Sequence, residues 1–142
     1  MPVLLDTDHL SVIQWQERPA YDRLVARLDL LAPDDIATSI VSFQEQIQGW
    51  MAYLNRAKKA PQIVEAYAKL ETLWRSFLRM NVLSFSEEAQ ARFEQLKRQA
   101  PRLETMDRRI ASIALTTNSV LLSRNLRHFR AVPGLVVENW TA

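Results

Sequence analysis

The chain has 142 residues and a mass of 16.4 kDa, the size of one ordinary domain that buries its own hydrophobic core. It has no cysteine and only two histidines, His9 and His128, which excludes disulfides, thiolate metal sites, cysteine nucleophiles and histidine-rich zinc sites. The formal net charge is only +2, but residues 92–130 hold nine Lys and Arg residues against three acids, a bias that indicates either a polyanion partner or a solvated helix face.

The first predicted element is a strand that ends in acidic residues. Val3-Leu4-Leu5 is a short apolar run of the kind found in buried parallel strands, and Asp6-Thr7-Asp8 follows it directly. Ligands bind at the carboxyl ends of parallel strands, so Asp6 is the first candidate for chemistry. The alternative is that Asp6 or Asp8 only caps the helix that begins near His9, because Asp is a preferred N-cap residue.

Two helices and a second strand come next. His9 to Trp15 is predicted as a short helix, and another starts after Pro19, where apolar residues recur at helical spacing. Pro33-Asp34-Asp35 interrupts this pattern, and Ile36-Ala37-Thr38 is short enough for a strand. The helix that follows can be capped by one of three hydroxyl residues: Thr38, Ser39 or Ser42.

The helix after the second strand carries an acid among small and apolar neighbours. Glu45 shares a face with Val41, Gly49 and Ala52, apart from the helix's main apolar stripe, which consists of Phe43, Ile47, Trp50, Met51 and Leu54. A carboxylate that approaches the sheet must be paired, protonated or bound to a cation, because a lone buried charge is costly. A solvated surface glutamate is the alternative.

A further helix begins at Pro61, and we expect its inward stripe to form core or a dimer contact: Ile63, Tyr67, Leu70, Trp74 and Phe77. The third strand is predicted at residues 82–85. Ser86 begins the next helix, with two acids in its first turn, and Pro101 ends it.

The last third of the chain contains another acid on an apolar helix face. Asp107 lies three, four and seven residues before Ile110, Ala111 and Ala114, so it continues the buried stripe and needs a partner. A first-turn Asp that only interacts with the helix dipole is the alternative. Residues 120–123 are predicted as the fourth strand and residues 135–138 as the last one, with Trp140 closing the fold.

Strands that alternate with helices predict parallel crossovers, and therefore a single three-layer α/β domain over residues 1–142 with a central sheet of four to five strands. The chain has only two glycines and no glycine-rich phosphate loop, which argues against P-loop and Rossmann nucleotide binding. No segment approaches the ~20 apolar residues that cross a bilayer, so we expect no membrane association and a cytoplasmic protein.

The polar residues are predicted to meet at one edge of the sheet. Asp6 and Ser123-Arg124-Asn125 follow strands, Glu45 lies near the start of a helix, and Asp107 opens another. Several carboxylates in one place repel each other unless a divalent cation neutralises them. With oxygen ligands and no cysteine, Mg²⁺ or Mn²⁺ is favoured over Zn²⁺.

Four segments in order resemble the motifs of one family, the PIN-domain nucleases, and within it the VapC-type toxins of bacterial toxin–antitoxin pairs. They are LLDTDHLS at 4–11, SIVSFQEQIQG at 39–49, MDRRIASIA at 106–114, and LSRNLRHF at 122–129 with its continuation to Trp140. One position departs from the pattern, because many PIN domains have a fourth acid where this chain has Asn125.

The resemblance implies a Mg²⁺- or Mn²⁺-dependent endoribonuclease that is silenced by a cognate antitoxin, is usually a homodimer, and cleaves an RNA phosphodiester with metal-activated water to leave a 5′-phosphate and a 3′-hydroxyl. Carried over by position, Asp6 and Asp107 would be the main metal ligands and Glu45 a ligand or water-orienting acid. Asn125 completes the implied catalytic set, and Ser123 supports it at the rim. Arg124, Arg127 and Arg108 are assigned to the RNA backbone.

Two other functions stay open. A non-catalytic RNA- or protein-binding module would keep the same scaffold without turnover. The apolar run with Asp6-Thr7-Asp8 also resembles the opening motif of haloacid-dehalogenase-type phosphatases. That chemistry, however, also needs a suitably placed lysine and a later acidic pair. Trp15, Trp50 and Tyr53 are expected in the core, with a groove for an antitoxin helix as the alternative.

Overall fold

The computed structural model describes all 142 residues and has a five-stranded, all-parallel sheet with helices on both faces. This confirms the predicted three-layer α/β fold. In chain order the elements are β1 (Val3–Leu5), α1 (Thr7–Trp15), α2 (Ala20–Leu28), a 3₁₀ turn (Pro33–Asp35), β2 (Ile36–Ser39), α3 (Ile40–Arg56), α4 (Ala60–Leu78), β3 (Val82–Leu83), α5 (Glu87–Gln99), α6 (Thr105–Thr116), β4 (Val120–Leu122), α7 (Leu126–Phe129) and β5 (Val137–Glu138).

Successive side chains of a strand point to opposite faces of the sheet, and there is a hydrophobic core on each face. Leu4 of β1 and Leu121 of β4 point into one core, which α5 and α6 cover with Ala89, Leu96, Ile110 and Ala114. Val3, Leu5, Val120 and Leu122 point the other way, into a core closed by α1, α2 and Trp140. The continuous apolar runs of the strands are explained by this double burial.

The strand order is β3-β2-β1-β4-β5, so the order reverses between β1 and β4. Crossover helices on the two sides of such a reversal lie on opposite faces, which leaves a crevice at the carboxyl ends of the two central strands. Asp6 follows β1 and Ser123 follows β4. The sheet therefore brings these two side chains to its switch point.

The helix starts follow the predicted capping pattern. Asp6 caps α1, since its carboxylate accepts a hydrogen bond from the Thr7 N–H at 2.8 Å. Ser39 caps α3 through the Ser42 N–H, and Ser86 caps α5 through the Ala89 N–H, each at 3.1 Å. No helix is both long enough and apolar enough to cross a membrane.

The orientation predicted for α4 is wrong over most of its length. Ile63, Tyr67 and Trp74 are exposed, and the face that packs inward consists of Ala66, Leu73 and Phe77. The apolar residues of α4 lie on several of its faces, so their spacing in the sequence does not show which face packs inward. Ala66 is the small residue that lets the helix approach its neighbours, and it was not part of the predicted stripe.

Other parts of the structure differ from the predictions by smaller amounts. The third and last strands are each two residues long, shorter than predicted. Met51 of α3 is 49% exposed, so it lies outside the core stripe of that helix. Trp15 is also exposed, while Trp50 and Tyr53 are half-buried, so these three aromatic residues border the surface instead of filling the core.

Candidate metal centre

The centre of the site is Asp6, which lies at the carboxyl end of β1 and is only 6% exposed. Its backbone N–H still donates to Leu122 O of β4 at 2.9 Å, which fixes Asp6 against the neighbouring strand. The Ser123 hydroxyl donates to Asp6 Oδ2 at 2.8 Å. Both interpretations of Asp6 therefore hold, because its side chain caps α1 and also faces the crevice.

A second acid, Asp8, joins the site without having been among the predicted site residues. Its Oδ2 lies 3.2 Å from the Ser123 hydroxyl oxygen and accepts from the Arg124 N–H at 3.0 Å. Its Oδ1 is 2.7 Å from Nδ1 of the buried His9. The only sequence signal for this role is the spacing Asp6-Thr7-Asp8, which is equally typical of helix capping.

Glu45 projects from α3 toward the start of α1. The Thr7 hydroxyl donates to Glu45 Oε1 at 2.7 Å and lies 3.0 Å from the hydroxyl oxygen of Ser42. Glu45 is half-buried, so it is neither the solvated surface residue nor a fully buried charge. Thr7 and Ser42 set its position, and no pattern in the sequence indicates this contact.

Asp107 lies in the first turn of α6, on the other side of the crevice. It is half-buried, and Asn125 Nδ2 is 3.5 Å from its Oδ2, the outer limit of a hydrogen bond. Asn125 in turn donates its backbone N–H to the Ser123 hydroxyl at 3.0 Å. The segment after β4 thus contacts acids from both sides, Asp6 and Asp8 through Ser123 and Asp107 through Asn125.

The carboxylates influence one another's protonation. Burial, together with the charge of Asp8, raises the pKa of Asp6 to about 7. Burial and the charge of Glu45 also raise the pKa of Asp107 above its ordinary value, against an opposing effect of His128. Burial alone would raise the pKa of Asp8 too, but hydrogen bonds from His9 and the Arg124 N–H outweigh it and lower that pKa.

No salt bridge of the protein includes Asp6, Glu45 or Asp107. The ion pairs of the molecule involve Asp8, Asp22, Glu71, Glu94 and Glu138. The available donors are carboxylate, amide and hydroxyl oxygens, which suit a hard ion such as Mg²⁺ or Mn²⁺.

The carboxylates are not, however, gathered into a closed cage. No three His, Asp or Glu side chains lie close enough together to hold one ion by themselves. Mg²⁺ usually keeps several water ligands and uses one or two protein carboxylates. The donor set therefore fits a hydrated divalent ion and does not fit a fully enclosed one.

The three arginines predicted to contact substrate have different environments. Arg108 is buried, and its guanidinium donates to the carbonyl oxygens of Ala100, Pro101 and Leu103, so its assignment to substrate is wrong. Arg124 is exposed but donates Nε–H to the Thr141 hydroxyl at 3.0 Å. Arg127 is exposed and lines a cleft of about 590 Å³ with Arg102 and His128.

Comparisons with known proteins agree with this geometry. The family model described as PIN domain matches residues 3–135. A search of curated protein sequences found no match. Among solved structures, the chain is similar to VapBC2 from Rickettsia felis bound to a promoter DNA fragment, with TM-score 0.76, 22% identity and 99% of each chain covered.

Two further structures have the same fold. VapBC-1 from nontypeable Haemophilus influenzae gives a TM-score of 0.77 at 23% identity, with both chains covered completely. FitAcB from Neisseria gonorrhoeae gives 0.73 at 23% identity, with 96% of each chain covered. At this identity the likeness shows a shared fold.

Proposed function

Because the chain belongs to the PIN domain family, we propose that it is a metal-dependent endoribonuclease and the toxin of a toxin–antitoxin pair. The observation that carries the proposal is Asp6, a buried carboxylate at the switch point of a parallel sheet, whose pKa is raised to about 7 and which has no cationic partner. Such a group is unfavourable in isolation and becomes favourable when a divalent ion binds beside it.

The proposed roles follow from the contacts of each side chain. Asp6 and Asp107 would hold a hydrated ion, and Glu45 would orient a water molecule bound to it. Ser123 fixes the carboxylate of Asp6, and Thr7 fixes that of Glu45. A bound divalent ion supplies Lewis-acid stabilisation of phosphate charge and lowers the pKa of a coordinated water. Asn125, as a neutral amide beside Asp107, suits a phosphate oxygen or a water molecule.

We propose that the RNA strand passes from the acids into the cleft beside α7. Arg127, Arg102 and His128 line this cleft, and His128 is near enough to Asp107 to affect its pKa. Cationic groups that flank an acidic centre hold the phosphates on either side of the scissile bond, without selecting a sequence. Arg124 lies exposed at the rim, where its backbone N–H donates to Asp8 and its Nε–H donates to the Thr141 hydroxyl, so its role in RNA binding is secondary to that of Arg127.

The antitoxin partner is supported by the similar structures, two of which are VapBC complexes. We propose that an antitoxin segment occupies the cleft of about 330 Å³ that Trp15, Trp50 and Tyr53 border between α1, α3 and α4. A homodimer and a cytoplasmic location, where RNA substrates are found, complete the proposal. The exposed apolar side chains of α4 offer area for contact between copies.

The test is RNA cleavage by the purified chain and its Asp6→Asn and Asp107→Asn variants, with Mg²⁺, with Mn²⁺ and with excess chelator. Both variants are expected to lose at least about 100-fold in rate, and chelator is expected to abolish cleavage by the parent chain. Asp29→Asn, at an exposed position after α2, is the matched control and should cleave normally. Cleavage retained by the double variant or in chelator would rule out the mechanism.

The same assay separates the alternatives. A non-catalytic module would bind RNA equally well in chelator and leave it intact under all conditions. The phosphatase alternative needs a lysine at Asp6, and no lysine forms an ion pair or a hydrogen bond with this residue.

A further inference from the structure

We propose that Asp8 is a fourth acid of the metal centre, supplying the charge that Asn125 does not, and that the buried His9 is its positioning residue. The inference rests on the proposed function, because it assigns two further residues to the same centre. It depends on how the chain holds the Asp8 carboxylate against Asp6.

Asp8 and Asp6 converge on one group. The Ser123 hydroxyl oxygen lies 2.8 Å from Asp6 Oδ2 and 3.2 Å from Asp8 Oδ2. A hydroxyl has one hydrogen to donate, so it bonds to one of the two carboxylates at a time. Ser123 therefore holds the Asp6 and Asp8 carboxylates next to each other at the carboxyl ends of the central strands.

Capping does not explain why Asp8 is an acid. The N-cap position of α1 is occupied by Asp6, which accepts from the Thr7 N–H. Asp8 accepts hydrogen bonds from His9 Nδ1, from Ser123 and from the Arg124 N–H. Two of these donors belong to the segment after β4, more than 100 positions away in sequence, so Asp8 is directed across the crevice and not along its own helix.

The hydrogen bonds of His9 define which of its nitrogens carries the proton. His9 is completely buried, and its Nε2 accepts from the Trp140 N–H at 3.1 Å. An accepting nitrogen has no hydrogen, so the proton of the neutral ring is on Nδ1, where it is donated to Asp8 Oδ1 at 2.7 Å. The ring thus fixes one oxygen of Asp8 and leaves the other facing Ser123.

The C-terminal segment holds this arrangement in place. The Trp140 ring is 9% exposed and lies under the Arg27 guanidinium at 4.2 Å. The next residue, Thr141, accepts from Arg124 Nε at 3.0 Å. Trp140 and Thr141 therefore support two of the three donors to Asp8, namely His9 and the backbone of Arg124. Groups that orient a metal-binding carboxylate in this way commonly change metal affinity about 10- to 100-fold when they are replaced.

Two substitutions of His9 separate positioning from packing. In His9→Asn the amide reaches the place of Nδ1, so a donor to Asp8 is kept and the acceptor for Trp140 is lost. In His9→Gln the amide reaches the place of Nε2, so the contact with Trp140 is kept and the donor to Asp8 is lost. Both variants lose one buried hydrogen bond, and we expect similar decreases in the midpoint of thermal unfolding.

The experiment measures the Mn²⁺ affinity of the purified chain by titration calorimetry, alongside RNA cleavage. We expect Asp8→Asn and His9→Gln to weaken Mn²⁺ binding by about ten-fold or more, and His9→Asn by less than about three-fold. Asp29→Asn, at an exposed position after α2, is the control and should bind Mn²⁺ and cleave RNA like the parent chain.

Each outcome decides a separate point. If the parent chain binds no Mn²⁺ and cuts no RNA, the proposed function fails and the inference fails with it. If the parent chain binds and cuts but Asp8→Asn does both equally well, only the inference is overturned. Equal loss of affinity in His9→Asn and His9→Gln would assign His9 to packing alone. Long-range ¹H–¹⁵N spectra test the tautomer independently of metal: a proton on Nδ1 of His9 is expected, and a proton on Nε2 contradicts the positioning role.

Discussion

Asp6 shows how one residue acquires several functions from its position in the chain. It directly follows β1, so its backbone is still bonded to β4, while its side chain caps α1 and faces the crevice. The position at a strand end and the cap follow from an apolar run that ends in an acid, so the sequence was sufficient to predict them, whereas the bond to β4 depends on the strand order. The environment of Asp8 was not predictable in the same way, because it depends on His9, Ser123 and Trp140, which come together only in the folded chain.

The raised pKa of Asp6 predicts a pH-dependent cost to stability. The folded-state pKa is about 7 and the ordinary value is 3.8, so the folded chain binds the proton more tightly and becomes less stable as pH rises between about 4 and 7. The full loss is up to about 4 kcal/mol at pH 8. In chelator, Asp6→Asn should therefore be more stable than the parent chain at pH 8 and nearly equal to it at pH 4.

Urea unfolding at several pH values, with chelator present, measures this difference. Asp29→Asn is again the control and should follow the parent chain throughout. Adding Mg²⁺ at pH 8 should stabilise the parent chain and leave Asp6→Asn almost unaffected. If Asp6→Asn and the parent chain lose stability in parallel between pH 4 and 8, the buried carboxylate is not the source of the effect.

Arg108 and Arg127 give a second contrast between residues of the same type. Arg108 donates to three carbonyl oxygens where the chain leaves α5, and its burial was invisible in a sequence that showed only a cluster of cations. Arg108→Gln should lower the free energy of unfolding by about 2–4 kcal/mol, since it removes charge-assisted hydrogen bonds to buried carbonyls. Arg127→Gln should change stability by less than about 0.5 kcal/mol.

RNA affinity should depend on Arg127 more than on Arg108, the opposite of the order expected for stability. With a single-stranded RNA oligonucleotide in chelator, Arg127→Gln should weaken binding and reduce the slope of log affinity against log salt by about one. Arg108→Gln, where it is folded, should keep the parent slope. A parent-like slope in Arg127→Gln would exclude this residue from the phosphate contacts.

At the scale of elements, the strands and caps were predictable and the rotation of α4 was not. β1, β2 and β4 are short apolar runs that are followed by polar residues. Ser39 and Ser86 cap the helices that start after them. In α4 the predicted and observed stripes share Phe77 but diverge toward the N-terminus, where apolar residues lie on several faces. The side that packs is decided by the neighbouring α3, and one helix alone does not contain that information.

This difference can be measured with two substitutions in adjacent positions of α4. Leu73→Ala removes a side chain that is 1% exposed and should destabilise the chain by about 2–5 kcal/mol. Trp74→Ala removes a larger side chain that is 57% exposed and should cost less than about 1 kcal/mol. Chemical denaturation of the two variants decides between the faces, and a larger loss in Trp74→Ala would restore the stripe expected from the sequence.

At the scale of the whole molecule, the sheet order explains why distant residues meet. The reversal between β1 and β4 brings the residues after each strand to one crevice, and α3 and α6 present Glu45 and Asp107 to it from either side. Alternating elements predicted a parallel sheet and so predicted the meeting of these segments. The order of the strands, the spacing of the carboxylates and the contact between His9 and the C-terminal segment required the structure.

The central claim is that these carboxylates form one centre that a divalent ion completes. Anomalous diffraction from crystals of the purified chain soaked in Mn²⁺ tests it most directly. We expect a peak within coordination distance of the Asp6 and Asp107 carboxylates, and we expect this peak to be absent from Asp6→Asn crystals. A map with no peak in this crevice at saturating Mn²⁺, or a peak that remains in Asp6→Asn, would contradict it.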